Sequence, residues 1–165
     1  MTDPVLWGIH ARAECDSLFL NDGYVAIGWH ELGDPRAFGD REKLKAGLQE
    51  ALRDEKAGAV RGWAGIIWRF INVIKIGDFV VHRSRTDKQV HLGRIDGEYE
   101  YAPQRAEHHP NQRRTTWLKT VPPTAFTPGG LREIGSRPTL FRVRNYADEF
   151  LAALRGSPPP SLPLS

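Results

Sequence analysis

The sequence is poor in cysteine and has no long apolar run. Its 165 residues include a single cysteine, Cys15, which excludes a disulfide framework and a cysteine-based zinc site. No apolar stretch approaches the ~20 residues of a membrane-spanning helix, and the N-terminus lacks the basic-then-apolar pattern of a signal peptide. These absences favour a reducing, cytoplasmic setting without membrane contact.

Several kinds of catalytic and metal site are also absent from the sequence. The closest approach to the Glu-x-Lys element of a nuclease is residues 42–45, and that segment lies on a predicted helix without a strand-borne acidic pair before it. Neither a Gly-rich phosphate loop nor a Ser/His/Asp set is visible. His108 and His109 are adjacent but lack the spaced further ligands that a metal requires. The sequence therefore predicts a binding module with no catalytic residues, no metal and no cofactor.

The charge is unevenly distributed along the chain. The net charge is only +3, but the excess of basic over acidic side chains lies entirely in residues 83–165. A basic half suits a polyanion-binding surface, although an ordinary solvated face has the same composition. The side chains that we expect to hold the phosphates of a nucleic acid are Arg83, Arg85, Arg113, Arg114 and Lys119.

Hydrophobic periodicity predicts an α+β domain over residues 1–155. Alternating apolar residues predict short strands, and the 3.6-residue period predicts helices over about 40–54, 59–75 and 145–155, the first capped by Asp40. Gly93 is the expected position of a β-bulge, which would bend a long strand. We therefore expect a small curled mixed β-sheet or partial β-barrel with helices packed around it. Residues 156–165 contain four prolines and are typical of a linker, a tail or a truncation point.

Three of the five tryptophans lie in two glycine-rich segments. The first is G-W-H-E-L-G-D at 28–34 and the second is G-W-A-G-I-I-W-R-F-I-N-V-I-K-I-G-D at 62–78. Large aromatic faces beside glycine can form a slot for a flat ligand, which predicts a base-binding pocket. The alternative is that these segments are corners of a small barrel.

Trp68 is the first candidate for a wall of that pocket. It lies off the apolar stripe of its helix, with Gly65 three residues before it and Asn72 four residues after it. Glycine would leave a recess beside the indole, and the amide could bind the edge of a base. Packing in a second layer is the alternative role.

The remaining base-binding candidates have stronger structural alternatives. Trp29 and Trp7 share strand faces with aliphatic residues, so each could fill the core, wall the pocket or do both. Trp63 lies within the buried stripe of its helix and is first of all a core residue. Tyr99 could add a stacking face, and Asp34 could accept a hydrogen bond from a base amino group, although capping its own turn is the simpler role.

Four segments carry a resemblance to a known family. They are V-A-I-G-W-H-E-L-G-D, R-G-W-A-G-I-I-W-R-F-I-N-V-I-K-I-G-D-F-V-V, L-G-R-I-D-G-E-Y-E-Y and R-R-T-T-W-L-K-T-V. In this order they resemble the N-terminal DNA-targeting domain of Mrr-type modification-dependent restriction endonucleases over about residues 5–143. That domain is similar to the EVE and YTH groups of the PUA superfamily, which bind modified bases in an aromatic pocket. The chain departs from the full-length enzymes in that a proline-rich tail stands where the nuclease domain would follow.

The resemblance implies a non-catalytic reader of modified double-stranded DNA. It would flip the modified base, cytosine being favoured over N6-methyladenine, into the aromatic pocket and so target a fused or associated restriction nuclease. An RNA- or nucleotide-binding PUA-like domain in translation or signalling is the alternative. A scaffold domain whose tryptophans only fill the core is a third possibility.

Overall fold

A computed structural model describes residues 4–156 of the chain. The strands are β1 (Leu6–Ile9), β2 (Tyr24–Ile27), β3 (Phe79–Arg83), β4 (Val90–Tyr101), β5 (Asn111–Val121) and β6 (Leu140–Arg142). The α-helices are α1 (Arg41–Ala51), α2 (Ala57–Asn72), α3 (Pro128–Ile134) and α4 (Ala147–Leu154). The predicted linker falls mainly on residues 157–165, which lie outside the described residues.

The strands form one mixed sheet in the order β2-β5-β4-β3-β1-β6. β1 runs parallel to β3, and every other neighbouring pair is antiparallel. Within residues 4–156 the edge strands β2 and β6 do not pair with each other, so the sheet is not closed into a barrel. The predicted α+β class is confirmed, and the sheet is an open one.

The long strand β4 bends at two irregularities. Its register against β5 shifts between Leu92 and Gly93, as the glycine predicted, and again between Ile95 and Tyr99. A Cβ on Gly93 would lie 2.9 Å from the Thr116 carbonyl oxygen, so only glycine fits without a shift. After the second irregularity Tyr99 pairs with Arg113 on β5, and Arg113 in turn pairs with Val25 on β2.

The helices begin and end near their expected positions. The Asp40 carboxylate accepts a 2.8 Å hydrogen bond from the Lys43 amide and caps α1, as predicted. α2 buries its apolar stripe against the sheet through Val60, Ala64, Gly65, Ile66, Ile67 and Phe70. Among the described residues, no helix combines the length and the apolarity needed to cross a membrane.

One local prediction about β2 is wrong. Alternation predicts that Trp29 lies on a strand face with aliphatic residues, but β2 ends at Ile27. Trp29 adopts φ 62° and ψ 42°, which is the left-handed region. The indole therefore leaves the sheet at a corner instead of lying in the strand row.

Candidate nucleic-acid binding site

A buried hydrogen-bond network holds the corner at the end of β2. The Asn111 side-chain amide donates a 2.7 Å hydrogen bond to the Gly28 carbonyl, and its Oδ1 accepts one of 2.5 Å from the Tyr99 hydroxyl. Asn111 is 1% exposed and Tyr99 is 9% exposed. A left-handed conformation costs a non-glycine residue about 1–2 kcal/mol, so the network must stabilise the Gly28–Trp29 corner against that cost.

The corner directs Trp29 towards Trp63 on α2. The centroids of the two indole rings are 6.2 Å apart, and the ring planes are inclined at 42°. Both side chains are half-buried, so each packs against the core on one side and leaves part of its surface accessible. The two inclined rings form a wedge, and both line one cavity.

Three adjoining cavities surround this wedge, and together we call them the aromatic cleft. The first, of about 320 Å³, is lined by His10, Ala11, Arg12, Ala26, Ile27, Gly28, Trp29, Arg85, His109, Arg137 and Thr139. The second, of about 450 Å³, is lined by Arg12, Glu14, Gly28, Trp29, His30, Glu31, Leu52, Glu55, Trp63, His108 and His109. The third, of about 420 Å³, is lined by Gly58, Ala59, Gly62, Trp63, Ile66, Arg69, Arg137, Pro138 and Thr139. The cavities share walls at Trp29, Trp63 and Arg137, so they are parts of one concave surface.

Histidine imidazoles supply much of the polar lining of the cleft. His30 and His108 have ring centroids 4.8 Å apart. His109 is half-buried, and burial lowers the pKa of its imidazole, which favours the neutral ring. A neutral imidazole can both donate and accept hydrogen bonds at the edge of a base. Within residues 4–156, no group of three or more His, Cys, Asp or Glu side chains has the arrangement of a metal site.

Trp7 lies outside the aromatic cleft. It is 3% exposed, and its indole Nε1 donates a 3.0 Å hydrogen bond to Asp78 Oδ2. The same Asp78 oxygen accepts a hydrogen bond from the Lys75 amide, so this carboxylate also fixes the turn before β3. Trp7 adjoins a separate cavity of about 560 Å³ beside that turn. Its position corresponds to the core-filling role.

Trp68, Gly65 and Asn72 do not line the aromatic cleft either. Trp68 is half-buried against the main core, and Asn72 is exposed at the end of α2. A Cβ on Gly65 would lie 2.7 Å from Arg41 Nη2 and 3.3 Å from Arg69 Nη1. The space beside Gly65 is therefore occupied by two guanidinium groups, which corrects the expectation of an open recess there.

Tyr99 and Asp34 do not line the aromatic cleft but make hydrogen bonds that fix nearby backbone. The ring of Tyr99 packs edge-on against Phe70, and the Arg36 guanidinium lies 5.2 Å from its centroid. Burial raises the pKa of the Tyr99 hydroxyl, which keeps it a hydrogen-bond donor to Asn111. Asp34 caps the turn at 35–37 and binds Arg36 at 2.7 Å, and these hydrogen bonds lower the pKa of its carboxyl. Asp34 thus has the turn-capping role.

Arg113 is not available to bind a phosphate. It is 1% exposed, and its guanidinium donates hydrogen bonds to the carbonyl oxygens of Ile74 (2.7 Å), Phe70 (3.1 Å) and Gly97 (3.0 Å). Two of these carbonyls lie at the C-terminal end of α2, where helical backbone lacks internal partners. The expectation that Arg113 faces nucleic acid is therefore corrected, because its side chain is a structural cap.

The other expected phosphate ligands are exposed, but only Arg85 reaches the cleft. Arg114 donates a 2.6 Å hydrogen bond to the Tyr24 hydroxyl, and Arg83 and Lys119 lie on strands away from the three cavities. The basic residues that sequence reasoning missed are Arg12 and Arg137. Both lie in loops, and both line the 320 Å³ cavity because the His10 amide donates a 2.8 Å hydrogen bond to the Thr139 carbonyl at the β1–β6 pairing.

Comparison with known proteins gives a family but no function. No curated protein matches this chain. One family model matches residues 7–144, a range that contains every residue lining the aromatic cleft. The chain therefore belongs to the family described as a domain of unknown function, DUF8426.

Proposed function

We propose that this domain is a non-catalytic reader that binds a modified base of double-stranded DNA in the aromatic cleft. The pairing of Trp29 with Trp63, two half-buried indoles that line one cavity, is the observation that carries the proposal. Flipping a base out of a duplex costs a few kcal/mol, and stacking on an aromatic side chain returns about 1–3 kcal/mol per base. Two indoles can therefore offset the cost of extrusion.

The geometry of the wedge defines how a base would enter. A flat ring sandwiched between two others needs about 7 Å between their centroids, twice the optimal carbon–carbon separation, and nearly parallel planes. The two indoles, 6.2 Å apart and inclined at 42°, therefore have to separate by about 1 Å and turn towards parallel. Trp63 is fixed on a helix, whereas Trp29 lies in a loop corner. Opening is therefore expected to move Trp29, and the base would stack first on the accessible part of its ring.

The polar lining suits a base that carries an exocyclic amino group. Glu14, Glu31 and Glu55 line the cavity that both indoles share, and a carboxylate can accept a hydrogen bond from cytosine N4. 5-Methylcytosine keeps both N4 hydrogens, whereas N6-methyladenine has lost one of its two amino hydrogens. Modified cytosine is accordingly the ligand that we favour.

The proposal extends to the fold family and to the biological setting. A mixed sheet bent by two bulges, with α2 packed on it and an aromatic pair at one strand end, supports assignment to the PUA superfamily, close to the EVE and YTH groups. The order of the four motifs supports a role as the targeting domain of an Mrr-type restriction endonuclease, with a nuclease fused or associated. Modified DNA is then the partner, and the domain itself cleaves nothing.

Fluorescence anisotropy with four matched probes tests this function. The probes are a labelled duplex with one central 5-methylcytosine, the same duplex unmodified, the duplex with one N6-methyladenine, and a single-stranded RNA of the same sequence. We expect the 5-methylcytosine duplex to bind at least tenfold more tightly than the unmodified duplex. Equal affinity for all duplexes would contradict base reading, and tighter binding to RNA would support the RNA-binding alternative.

A further inference from the structure

Five arginines from five separate segments form a series that begins in the aromatic cleft and continues beyond it to Gly65. Arg12, Arg85 and Arg137 line the 320 Å³ cavity, and Arg137 also lines the 420 Å³ cavity together with Arg69. Arg69 in turn packs over Gly65 beside Arg41, the first residue of α1. Each guanidinium thus shares a cavity or a contact point with the next, and we call this series the arginine track.

Within residues 4–156, none of the five guanidinium groups forms an ion pair with a carboxylate. The ion pairs that arginines form in this part of the chain are Arg36–Asp34, Arg53–Glu50, Arg94–Asp96 and Arg105–Glu100. All of them lie outside the track. Single surface arginines without a partner are ordinary, but five along one continuous surface give it a positive potential that attracts an anion.

The two guanidinium groups over Gly65 repel each other. Arg41 Nη2 and Arg69 Nη1 lie 2.7 and 3.3 Å from the point where a Gly65 Cβ would stand, so the two nitrogens are no more than about 6 Å apart. Burial, and then the charge of Arg41, lower the pKa of the Arg69 guanidinium. A phosphate oxygen between the two groups would bind both and relieve the repulsion, as guanidinium groups commonly do with phosphate.

The opposite flank of the cleft has the opposite charge. Glu14, Glu31 and Glu55 line the 450 Å³ cavity, where Arg12 is the single arginine, and no carboxylate lines either of the other two cavities, which carry the track. A phosphodiester chain would be repelled from the glutamate side and attracted to the arginine side. The cleft is therefore polarised, with Trp29 and Trp63 between the two flanks.

We propose that the arginine track binds the DNA backbone on both sides of the flipped nucleotide. This inference rests on the proposed function, and it names the phosphodiester chain, not a free nucleotide, as the recognised ligand. Arg12, Arg85 and Arg137 hold the phosphates nearest the base, and Arg69 with Arg41 holds a more distant one. The strand consequently crosses the domain along the face of α2 that carries Arg69 and along the β1–β6 edge of the sheet.

The test measures the salt dependence of binding to the modified and the unmodified duplex. The variants are Arg137→Gln, Arg69→Gln and the double variant, and the matched control is Arg61→Gln, because Arg61 is exposed on α2 but lines no cavity of the cleft. Each lost phosphate contact is expected to lower the slope of log affinity against log salt by about one unit, equally for both duplexes. The control is expected to leave the slope unchanged. Thermal melting confirms that each variant is folded.

The outcomes separate this inference from the proposed function. If the Arg69 and Arg137 slopes equal that of the parent while Trp29→Ala abolishes the preference for 5-methylcytosine, the track is wrong and base reading stands. If the slopes fall but the parent protein shows no preference, the track stands and base reading is wrong. Failure of the parent to bind either duplex overturns both. Binding of 5-methyl-dCMP as tightly as the modified duplex also overturns the track.

Discussion

The Asn111 side-chain amide donates a 2.7 Å hydrogen bond to the carbonyl of Gly28, the residue directly before Trp29. Two segments that are 83 positions apart in sequence are thereby joined at the point where the chain turns into the left-handed conformation. The position of the Trp29 indole therefore depends on a residue that lies beneath the cleft and lines none of its cavities.

Replacement of Asn111 should loosen this corner. Asn111→Leu leaves the Gly28 carbonyl and the Tyr99 hydroxyl without their buried partner, at a cost of about 1–3 kcal/mol for each group that stays unsatisfied. We expect a lower melting temperature and a weaker near-ultraviolet circular dichroism signal from the Trp29–Trp63 pair. Tyr99→Phe, the milder control, removes only one hydrogen bond. An unchanged aromatic signal in Asn111→Leu would show that the network does not fix Trp29.

The left-handed backbone at Trp29 gives a second prediction. Trp29→Gly and Trp29→Ala remove the same indole, but glycine adopts φ 62° without steric cost. The glycine variant should therefore be more stable than the alanine variant by about 1 kcal/mol, the reverse of the usual order. Urea denaturation of the two variants measures this difference. A more stable alanine variant would mean that residue 29 leaves the left-handed region once the indole is gone.

Arg113 should behave as a structural residue. Arg113→Leu leaves three carbonyls without their donor, and losing the hydrogen bonds at Phe70 and Ile74 should destabilise the domain by about 3 kcal/mol or more. Lys119→Gln, at an exposed position on the same strand, is the control and should change stability by less than about 0.5 kcal/mol. Both are compared by chemical denaturation. An Arg113→Leu protein of parental stability with weakened DNA binding would restore the phosphate-binding role.

Stability should fall in mildly acidic solution because of His82. The ring is fully buried, with Nδ1 3.1 Å from the Ile9 carbonyl oxygen and Nε2 3.6 Å from Asp16 Oδ1, too far for a hydrogen bond. Burial lowers the pKa of His82 in the folded state, although the Ile9 carbonyl and Asp16 oppose this shift. In the unfolded chain the imidazole takes up a proton below about pH 6.5, so the unfolded state binds more protons there.

Protonation of His82 therefore favours the unfolded state. The stabilisation is fully present above the unfolded pKa and is lost as pH falls below about 6.5 towards the lower folded pKa. The pKa of Asp16 is also lowered: hydrogen bonding to Ser84 and the nearby His82 outweigh the larger single effect of its burial, so its contribution is lost only in more acidic solution. Urea midpoints at pH 7.5 and 5.0 should differ more for the parent than for His82→Phe. An equal difference in both proteins would show that other groups cause the acid sensitivity.

Periodicity in the sequence predicted much of the secondary structure. The cap at Asp40, the bulge at Gly93 and the cores of the three longest helices follow from local patterns that the structure retains. The left-handed corner at Trp29 was not predictable, because it depends on Asn111 on another strand. An alternating pattern continues through residue 29, and only the tertiary hydrogen bond shows where the strand ends.

The site was harder to predict than the fold. Arg113 was expected to bind a phosphate, but it is buried, because its guanidinium caps the end of α2. Arg12 and Arg137 have no local signature, since the β1–β6 pairing alone brings them together. Helical spacing placed Trp68 beside Gly65, but it could not show that Arg41 from α1 occupies the space next to that glycine.

The preference ratio of single tryptophan variants tests the central claim most directly. The ratio is the affinity for the 5-methylcytosine duplex divided by that for the unmodified duplex, measured for Trp29→Ala, Trp63→Ala and Trp68→Ala with melting curves for each. Because Trp29 and Trp63 form the wedge and Trp68 lies outside the cleft, the ratio should fall to about one in the folded Trp29→Ala protein. Trp63→Ala should lower both the ratio and the melting temperature, and Trp68→Ala should keep the parental ratio. A ratio that is lost in Trp68→Ala but kept in Trp29→Ala would contradict the account and place the base beside Trp68.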